Sequence, residues 1–351
     1  MLFARKNRVR PEFSKFCSSS LYDMQVYRDW LDQIDRRLEK DDLGTAIEVQ
    51  NLMIKEYYQH FKEFYQKQVD VLEDLVAGFT RQEHELHGYY FRKQFWDIIL
   101  SSEMLRRTNL KPRGYAGDYV MMRMIYENRF RGRTVFEKFM HKFPLDTPAA
   151  QAVRNRRTIV AETARKLSEE KSGSLKVLSV ACGPAWEVGD IVKAPEDAAR
   201  YEFTLLDQDP LALEEAEAEC KRVAKKIGRP VNFRTVRQSV RTMLASPEFK
   251  DQIGLHDMVY AMGLFDYLTG PVAPLVLQKM YELVTPGGVL LIGNYHPRNP
   301  TRIYMEYWAD WVLYYRDEQK MMDLTGSISG CETDLRLEDA GCQLFLTVRK
   351  E

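Results

Sequence analysis

Apolar residues in the first 150 positions of this 351-residue chain recur every three or four residues, with charged residues between them. Glycine is scarce in this stretch and strand-like alternation is absent. The apolar positions between 21 and 103 include Leu31, Ile34, Leu38, Val69, Leu72 and Leu75. This spacing predicts several amphipathic helices that pack together. A coiled-coil partner helix is the competing interpretation, although the apolar positions drift off a strict heptad.

From about residue 171 onward, short apolar runs alternate with helical patterns. Strands are predicted at 176–180, 202–206, 231–236, 257–261, 289–292, 334–338 and 343–348. Helices are predicted at 148–166, 187–193, 211–227, 272–284 and 301–316. This alternation predicts an α/β sheet that is largely parallel, with helices on both faces and an edge hairpin at the end. We therefore divide the chain into a helical domain, 1–165, and an α/β domain, 166–351.

A turn of small residues follows the first predicted strand. It reads Ala-Cys-Gly-Pro-Ala over 181–185, and a helix can begin at Glu187. Backbone N–H groups of such a turn face the carboxyl end of a strand, where open α/β sheets bind nucleotide-like ligands. Asp207 ends the next strand, 24 residues beyond Gly183 (207 − 183). A dinucleotide-binding fingerprint has an acid at about 20 residues, which accepts hydrogen bonds from ribose hydroxyls.

The charge, the cysteine content and the hydrophobicity of the chain limit the substrates, metal sites and location that the protein can have. Lys+Arg and Asp+Glu both number 51, which disfavours a nucleic-acid substrate because such proteins usually carry a basic excess. The five cysteines are scattered and lack CxxC spacing, so we expect reduced thiols and neither a disulfide framework nor a metal site. No apolar run approaches the ~20 residues of a membrane span. We expect a soluble, cytoplasmic protein.

The loop at 108–119 interrupts the helical pattern and carries Tyr115, Asp118 and Tyr119. In one interpretation it connects two helices, with Asp118 capping the second. In the other it is a lid that presents two hydroxyls and a carboxylate to a substrate.

Further candidates follow the fifth predicted strand. His296 is the best candidate for a general base, with a role in orienting its loop as the alternative, and Asn294 and Tyr295 are candidate acceptor contacts. The candidate anion partners are Arg154, Arg157 and Arg316. The aromatic-rich helix expected at 301–316 is more typical of core packing than of a substrate pocket.

The order of these signals over 171–351 resembles that of the class I S-adenosylmethionine-dependent methyltransferases. The matching features are the 181–185 turn, Asp207, a Thr-Pro-Gly-Gly turn at 285–288 and the terminal hairpin. The resemblance implies a Rossmann-like methyltransferase sheet with S-adenosylmethionine as the cofactor. It assigns cofactor contacts to Ala181, Gly183, Pro184, Asp207, Gln208, Ser239, Val240 and Gly263.

The first motif departs from the family pattern. The family usually has an acid where Ser179 stands, and glycines where Ala181 and Ala185 stand. The methionine amino group of the cofactor then needs another partner, for which Glu187 and Asp118 are candidates. A nicotinamide-binding Rossmann domain is the main rival, but its glycine pattern fits worse and it has no terminal hairpin.

A narrower resemblance covers most of the chain. Stretches at 111–119, 151–156, 181–185 and 263–267 are similar to bacterial proteins grouped with the 3-hydroxy-fatty-acid methyl ester synthases of quorum sensing. This resemblance implies a lipid-like methyl acceptor and an active-site role for Tyr115, Asp118 and Tyr119.

The chemistry of methyl transfer limits what the protein must supply. Transfer from a sulfonium is an in-line displacement, so the protein contributes binding, alignment and exclusion of water. A carboxylate acceptor needs no base. We therefore expect a methyltransferase that acts on a carboxylate oxygen of a small-molecule or fatty-acid-like acceptor. A hydroxyl or amine acceptor with His296 as base, and a non-catalytic cofactor-binding scaffold, are the alternatives. A homodimer is left open.

Overall fold

The computed structural model describes residues 8–38 and 42–351, so positions 39–41 of the predicted helical stretch lie outside the described residues. The described chain divides into two compact units. One unit takes in residues up to Ala150 together with Pro300–Val312. The other comprises Gln151–Asn299 and Leu313–Glu351. The boundary at 165/166 between a helical domain and an α/β domain stays a prediction.

The first unit is helical, as the periodicity predicts. Its helices are α1 (Pro11–Leu38), α2 (Leu43–Val76), α3 (Arg81–Gln94), α4 (Trp96–Ser101), α5 (Glu103–Leu110), α6 (Tyr119–Glu127) and α7 (Val135–Leu145). Helix α8 (Pro148–Glu170) leads from this unit into the next. Aromatic rings fill the core of the helical unit, where Tyr65, Phe91 and Phe95 each lie with ring centroids 4.9 Å from Trp308.

The helix predicted at 301–316 is much shorter in the structure. It forms α14 (Arg302–Tyr307), and Asp310, beyond the end of this helix, takes a left-handed backbone conformation, φ 47°. The Asp310 carboxylate binds Arg92 at 3.0 Å and Lys111 at 2.5 Å. The expectation that this aromatic stretch packs as core is confirmed for Tyr304, Tyr307 and Trp308, which are buried, while Tyr314 is exposed.

The second unit is built on a seven-stranded sheet. Its strands are β1 (Leu175–Val180), β2 (Tyr201–Asp207), β3 (Asn232–Arg237), β4 (His256–Ala261), β5 (Val284–Tyr295), β6 (Cys331–Leu337) and β7 (Gln343–Lys350). The order across the sheet is β3-β2-β1-β4-β5-β7-β6. Strands β1 to β5 run parallel, and β7 is antiparallel to both β5 and β6. This architecture confirms the predicted fold class, a mainly parallel sheet closed by a terminal hairpin.

Helices connect the parallel strands. They are α9 (Glu187–Ile191), α10 (Pro210–Ile227), α11 (Val240–Ala245), α12 (Phe249–Ile253) and α13 (Ala273–Glu282), and α15 (Glu318–Met322) precedes the hairpin. Successive side chains of β1 enter opposite cores, Val177 in one and Leu178 in the other. Because both faces of the central strands are buried, these strands consist of nearly continuous apolar runs.

The Thr-Pro-Gly-Gly segment lies within the bounds of β5, where it loops out of the ladder. His256 pairs with Val284, but Met258 pairs with Val289, so 285–288 have no matching partners on β4. Gly287 takes φ 76°, and a Cβ on Gly288 would lie 2.7 Å from the Asp257 carbonyl oxygen. Glycine is therefore required at this excursion.

No helix in the described ranges 8–38 and 42–351 is long and apolar enough to span a bilayer.

Candidate functional site

The turn after β1 exposes backbone at the carboxyl edge of the sheet. Ala181, Gly183 and Ala185 all have positive φ, 55°, 55° and 51°. Such a backbone costs an alanine about 1–2 kcal/mol, so the surrounding fold must hold the turn in place. A Cβ added to Gly183 would meet no atom within 4 Å. A ligand can therefore approach the backbone closely at Gly183, while Pro184 is buried beneath it.

Asp207, at the end of β2, holds this turn directly. Its Oδ2 accepts a hydrogen bond from the Gly183 N–H at 2.9 Å, and its Oδ1 accepts one from the Asp209 N–H at 2.9 Å. Burial raises the pKa of Asp207, against the lowering effect of these backbone bonds. A carboxylate has about four acceptor positions, so each oxygen can still accept a bond from a ribose hydroxyl.

The ends of β2 and β3 lie side by side next to Asp207. The Gln238 N–H donates to the Asp207 carbonyl oxygen at 3.1 Å. Ser239 caps α11, where its Oγ accepts from the Thr242 N–H at 3.0 Å, and Val240 is the first residue of that helix. Gln208 is exposed. The structure thus brings three predicted cofactor contacts, Gln208, Ser239 and Val240, to the same edge of the sheet as Gly183.

The strand order reverses between β1 and β4, so the crevice of the sheet opens beside Gly263. A Cβ on Gly263 would lie 3.2 Å from Nη1 of Arg156, and that Nη1 donates to the Met262 carbonyl oxygen at 3.3 Å. Arg156 is only 7 % exposed. A buried guanidinium therefore stands at the switch point of the sheet.

Sequence reasoning missed Arg156 and chose its neighbours. Arg154 is half-buried and donates to Gln151 Oε1 at 2.8 Å, and Arg157 binds Asp190 at 2.8 Å. The apolar face of α8 is formed by Ala152, Val153, Arg156, Ile159 and Val160, all of them buried. Arg156 lies at the helical spacing of this buried face, and the two flanking arginines do not. That spacing is the sequence signal that could have identified Arg156.

A buried carboxylate lies where the first motif lacks its acid. Glu187, at the start of α9, accepts a hydrogen bond from the Tyr260 hydroxyl at 2.7 Å. Tyr260 pairs with Ser179 across β1 and β4. Burial raises the pKa of Glu187, while its own backbone N–H, the Tyr260 hydroxyl and two arginines favour the charged form. Strand β1 thus has no carboxylate at Ser179, but α9 places the Glu187 carboxylate on the hydroxyl of Tyr260, the residue that pairs with Ser179.

The end of β5 holds a second buried polar cluster. Arg316 donates to Asn294 Oδ1 at 2.6 Å, to the Phe265 carbonyl at 2.8 Å and to the Leu268 carbonyl at 2.6 Å. Asp266 accepts from the Tyr295 N–H at 2.7 Å. Burial raises the pKa of Asp266 to about 7, although the Tyr295 N–H, Arg156 and Arg316 all lower it. Asn294 and Arg316 tie loop backbone to the strand end here.

Both ring nitrogens of His296 have partners. Nδ1 accepts from the Arg298 N–H at 3.1 Å, and Nε2 lies 3.2 Å from a carboxylate oxygen of Glu318. Because Nδ1 is the acceptor, the neutral ring carries its proton on Nε2, and this N–H donates a hydrogen bond to Glu318. This geometry orients the loop after β5, as the alternative interpretation expects, and the role of His296 as a base stays a prediction.

The loop at 108–119 belongs to the helical unit. Asp118 is fully buried and caps α6, where its Oδ1 accepts from the Met121 N–H at 3.0 Å. Arg107 forms an ion pair with the same carboxylate at 2.7 Å. The Tyr119 ring lies 4.9 Å from the Arg113 guanidinium, and Tyr115 is half-buried. A catalytic role for Tyr115 and Asp118 and an acceptor contact for Tyr119 stay predictions.

Within the described parts of the chain, His, Cys, Asp and Glu side chains form no group of three or more that could hold a metal ion.

Comparison with known proteins yields structural likeness alone. No family model matches the chain, and no curated protein matches its sequence. A possible exported protein from Bordetella parapertussis is 19 % identical over 84 % of this chain and 97 % of its own, with a TM-score of 0.55.

Two methyltransferase structures are more distant. Magnesium protoporphyrin IX methyltransferase from Synechocystis PCC 6803, with bound S-adenosylmethionine, has 12 % identity and a TM-score of 0.41, over 58 % of this chain and 82 % of its own. The N-methyltransferase NodS from Bradyrhizobium japonicum WM9, with bound S-adenosylhomocysteine, has 17 % identity and a TM-score of 0.39, over 58 % of this chain and 89 % of its own. By its own strand order, the chain has a methyltransferase-like α/β fold, with a seven-stranded mixed sheet, an antiparallel C-terminal hairpin and a preceding helical region.

Proposed function

We propose that this protein is an S-adenosylmethionine-dependent methyltransferase that methylates a carboxylate oxygen of a small-molecule or fatty-acid-like acceptor. One observation supports the proposal most strongly. The Gly183 N–H, in an open turn of left-handed backbone, donates a hydrogen bond of 2.9 Å to the Asp207 carboxylate. That pair combines an acceptor for ribose hydroxyls with a backbone that a ligand can approach. Both lie at the carboxyl edge of the sheet, where α/β proteins bind nucleotides.

The residues around the turn fit the cofactor in three places. Asp207 accepts hydrogen bonds from the ribose hydroxyls. Glu187, a buried carboxylate next to the turn, takes the methionine amino group in place of the acid that Ser179 does not provide. Gln208, Ser239 and Val240 surround the adenine. When bound, the cofactor supplies an electrophilic methyl group on a sulfonium, and the protein then has to align an acceptor with it.

A carboxylate acceptor agrees with the charges at the switch point. Arg156 is a buried cation beside Gly263, and an arginine guanidinium matches the planar geometry of a carboxylate. A carboxylate held by Arg156 would already be ionised, so no residue would have to remove a proton from it before it reacted with the methyl group of a bound cofactor. A hydroxyl or amine acceptor would need a base, yet both nitrogens of His296 already have partners.

Transfer of a labelled methyl group tests the proposal. Purified protein is incubated with methyl-labelled S-adenosylmethionine and saturated fatty acids, and the products are treated with base. A methyl ester releases its label as methanol, whereas an ether or an N-methyl product keeps it. We expect a base-labile product from the wild type. A base-stable product would favour a hydroxyl or amine acceptor, and cofactor binding without any transfer would favour the scaffold alternative.

Arg156 provides a check on the acceptor. Arg156→Gln should raise KM for the fatty acid by roughly tenfold or more, because it removes the cation that faces the carboxylate. Affinity for S-adenosylhomocysteine should be unchanged. Arg156→Lys keeps the charge but not the planar fork, so its KM should lie between those of the wild type and Arg156→Gln.

A further inference from the structure

Strand β6 lies at one edge of the sheet, next to β7. It pairs with β7 in a single register from Cys331 to Leu337. The strand contains no proline, glycine or lysine. Natural edge strands are commonly protected from further pairing by a proline, a bulge, a lysine or other charged side chains, and β6 has only the last of these. Its outer side is therefore a regular template for another strand.

The backbone bonds at the two ends of β6 show which of its groups face outward. The Glu338 N–H donates to the Gln343 carbonyl at 3.0 Å, and the Glu351 N–H donates to the Gly330 carbonyl at 3.2 Å. Both pairs continue the register of the ladder, in which hydrogen-bonded pairs alternate along the strand. The even-numbered residues of β6 therefore bond to β7. The backbone groups that face the open edge belong to the odd-numbered residues, Cys331, Thr333, Leu335 and Leu337.

One row of β6 side chains is apolar. Successive side chains of a strand point to opposite faces of the sheet, so the odd-numbered residues share one face. Cys331 and Leu335 pack against the apolar core on that face, whereas Leu337 is 46 % exposed. A neighbouring strand at this edge would cover the Leu337 side chain.

The other row is charged and complementary to itself. It consists of Glu332, Asp334 and Arg336, and all three side chains are exposed. An identical strand that runs antiparallel to β6, with Asp334 at the midpoint, places Arg336 of the second copy opposite Glu332, and this pair occurs twice by symmetry. Two attractions then compete with one repulsion, between the two Asp334 carboxylates. With Thr333 at the midpoint, Glu332 would instead face Asp334, and no opposite charges would be paired.

The register centred on Asp334 also uses all the outward backbone groups. It places Cys331 opposite Leu337 of the second copy, and Thr333 opposite Leu335. These are the odd-numbered residues whose N–H and C=O groups face the edge, so each pair can exchange two hydrogen bonds. Leu337 is then covered by Cys331 of the second copy.

We propose that two copies of this protein associate edge to edge through β6, in an antiparallel pairing centred on Asp334 that joins their two sheets. The interface is isologous, because one surface pairs with itself about a two-fold axis. Three strands, β4, β5 and β7, separate β6 from β1 and the Gly183 turn. Association therefore leaves the candidate cofactor site open, and it does not depend on the proposed function.

Cysteine crosslinking of the full-length protein tests the register. A pair without mutual hydrogen bonds in an antiparallel ladder has Cα atoms about 4.5 Å apart, which suits a disulfide. Asp334→Cys in a Cys331→Ser background should therefore form a covalent dimer when it is oxidised with diamide. Glu332→Cys in the same background is the matched control, because its side chain is also exposed. The two copies of this residue would lie about 13 Å apart along the strands, so it should stay uncrosslinked.

Charge reversal tests the pairing of the two charged rows. We expect the wild type to sediment as a dimer in a concentration-dependent equilibrium. Arg336→Glu places like charges opposite each other at both symmetric positions, so it should raise the Kd of the dimer at least about tenfold. Combining Glu332→Arg with Arg336→Glu restores both attractions and should restore the dimer.

This rescue is specific to pairing between copies. Within one strand, four residues separate the side chains at 332 and 336 by about 13 Å, too far for an ion pair. Arg336 also lies 3.8 Å from Glu162 and 4.0 Å from Asp339 in its own chain. Both contacts are lost in the single and in the double variant, so they cannot account for a difference between the two.

A proline at the edge tests the backbone pairing. Thr333→Pro removes an N–H that faces outward and leaves the bonds to β7 intact, a position where edge strands tolerate proline. Thr333→Ala is the control and keeps the N–H. We expect similar Tm values for the two variants, and a dimer only for Thr333→Ala.

Three results would overturn the proposal. A wild type that stays monomeric throughout the micromolar range would exclude the association. Equal crosslinking of Asp334→Cys and Glu332→Cys would exclude the register. A dimer that withstands both Thr333→Pro and Arg336→Glu would mean that the copies associate through another surface.

Discussion

Asp207 connects the two parts of the candidate cofactor site at the scale of single residues. The same carboxylate accepts a hydrogen bond from the Gly183 N–H and, in the proposed function, uses its remaining acceptor positions for a ligand. Sequence spacing predicts a role for this residue, because an acid at the end of the second strand is a local feature. The buried face of α8 was a local signal for Arg156, but its position beside Gly263 depends on which strands and helices become neighbours.

Asp207→Ala should weaken binding of S-adenosylhomocysteine by roughly tenfold to a hundredfold, or about 1–3 kcal/mol, because the ribose hydroxyls lose their acceptor. Isothermal titration calorimetry measures the change. Asp334→Ala, which removes an exposed carboxylate on the hairpin strand β6, serves as the control and should bind normally. An Asp207→Ala variant with wild-type affinity would exclude the ribose assignment.

Asp266 should make the stability of the protein depend on pH. Burial raises the pKa of this carboxyl to about 7 in the folded protein, against about 3.9 in an unfolded chain. The native state therefore binds more protons than the unfolded state between about pH 4 and 7, and the contribution of Asp266 to stability falls as pH rises through that window.

Asp266→Asn keeps an acceptor oxygen for the Tyr295 N–H but cannot ionise. The difference in Tm between this variant and the wild type should therefore grow in favour of the variant from about pH 4 to pH 7, and then level off. Taking the difference removes the contributions of the other carboxyl groups. A difference that stays constant over this range would contradict the assignment of the raised pKa to Asp266.

At the scale of elements, most strands and helices follow from local patterns, but the aromatic stretch after β5 does not. Buried parallel strands are continuous apolar runs, so their positions were predicted within a few residues. The aromatic stretch at 301–316 had helical spacing but does not stay helical, because Tyr314 and Arg316 give their backbone N–H groups to the Asp266 and Tyr295 carbonyls. Those partners are distant in sequence, so no local pattern could reveal them.

The turn after β1 gives a prediction about its left-handed residues. Ala181→Val places a β-branched side chain at φ 55°, so it should lower the free energy of unfolding by about 1–3 kcal/mol and weaken binding of S-adenosylhomocysteine. Ala181→Gly adopts this backbone without strain and should stay within about 1 kcal/mol of the wild type. Chemical denaturation measures both. Equal stability of the two variants would mean that the turn is not held left-handed in solution.

The loop before α6 gives a second prediction at this scale. Asp118→Asn can still cap the helix but no longer neutralises Arg107, so it should lower stability by about 1–3 kcal/mol. Cofactor affinity and turnover of the same variant test the predicted active-site role separately from its stability. Weaker cofactor binding would indicate a contact with the cofactor, and lost turnover at unchanged affinity a contact with the acceptor. If stability alone falls, Asp118 is a structural cap.

At the scale of the whole molecule, the two units are not two consecutive halves of the sequence. Pro300–Val312 lies between β5 and the hairpin in sequence but belongs to the helical unit, where Trp308 packs against Tyr65, Phe91 and Phe95. The change from helical to alternating patterns near residue 170 could be predicted, but this return of the chain could not. A protein beginning at residue 171 would keep Trp308 without its aromatic partners. Substitutions are therefore a cleaner probe of the helical unit than truncation.

Calorimetric titration of the full-length protein with S-adenosylhomocysteine and, separately, with NAD tests the central claim most directly. The account predicts saturable binding of S-adenosylhomocysteine at one site per chain and no binding of NAD. The left-handed turn and Asp207 would then hold a methyl donor at the carboxyl edge of the sheet. Binding of NAD, or the absence of any heat with S-adenosylhomocysteine, would contradict it.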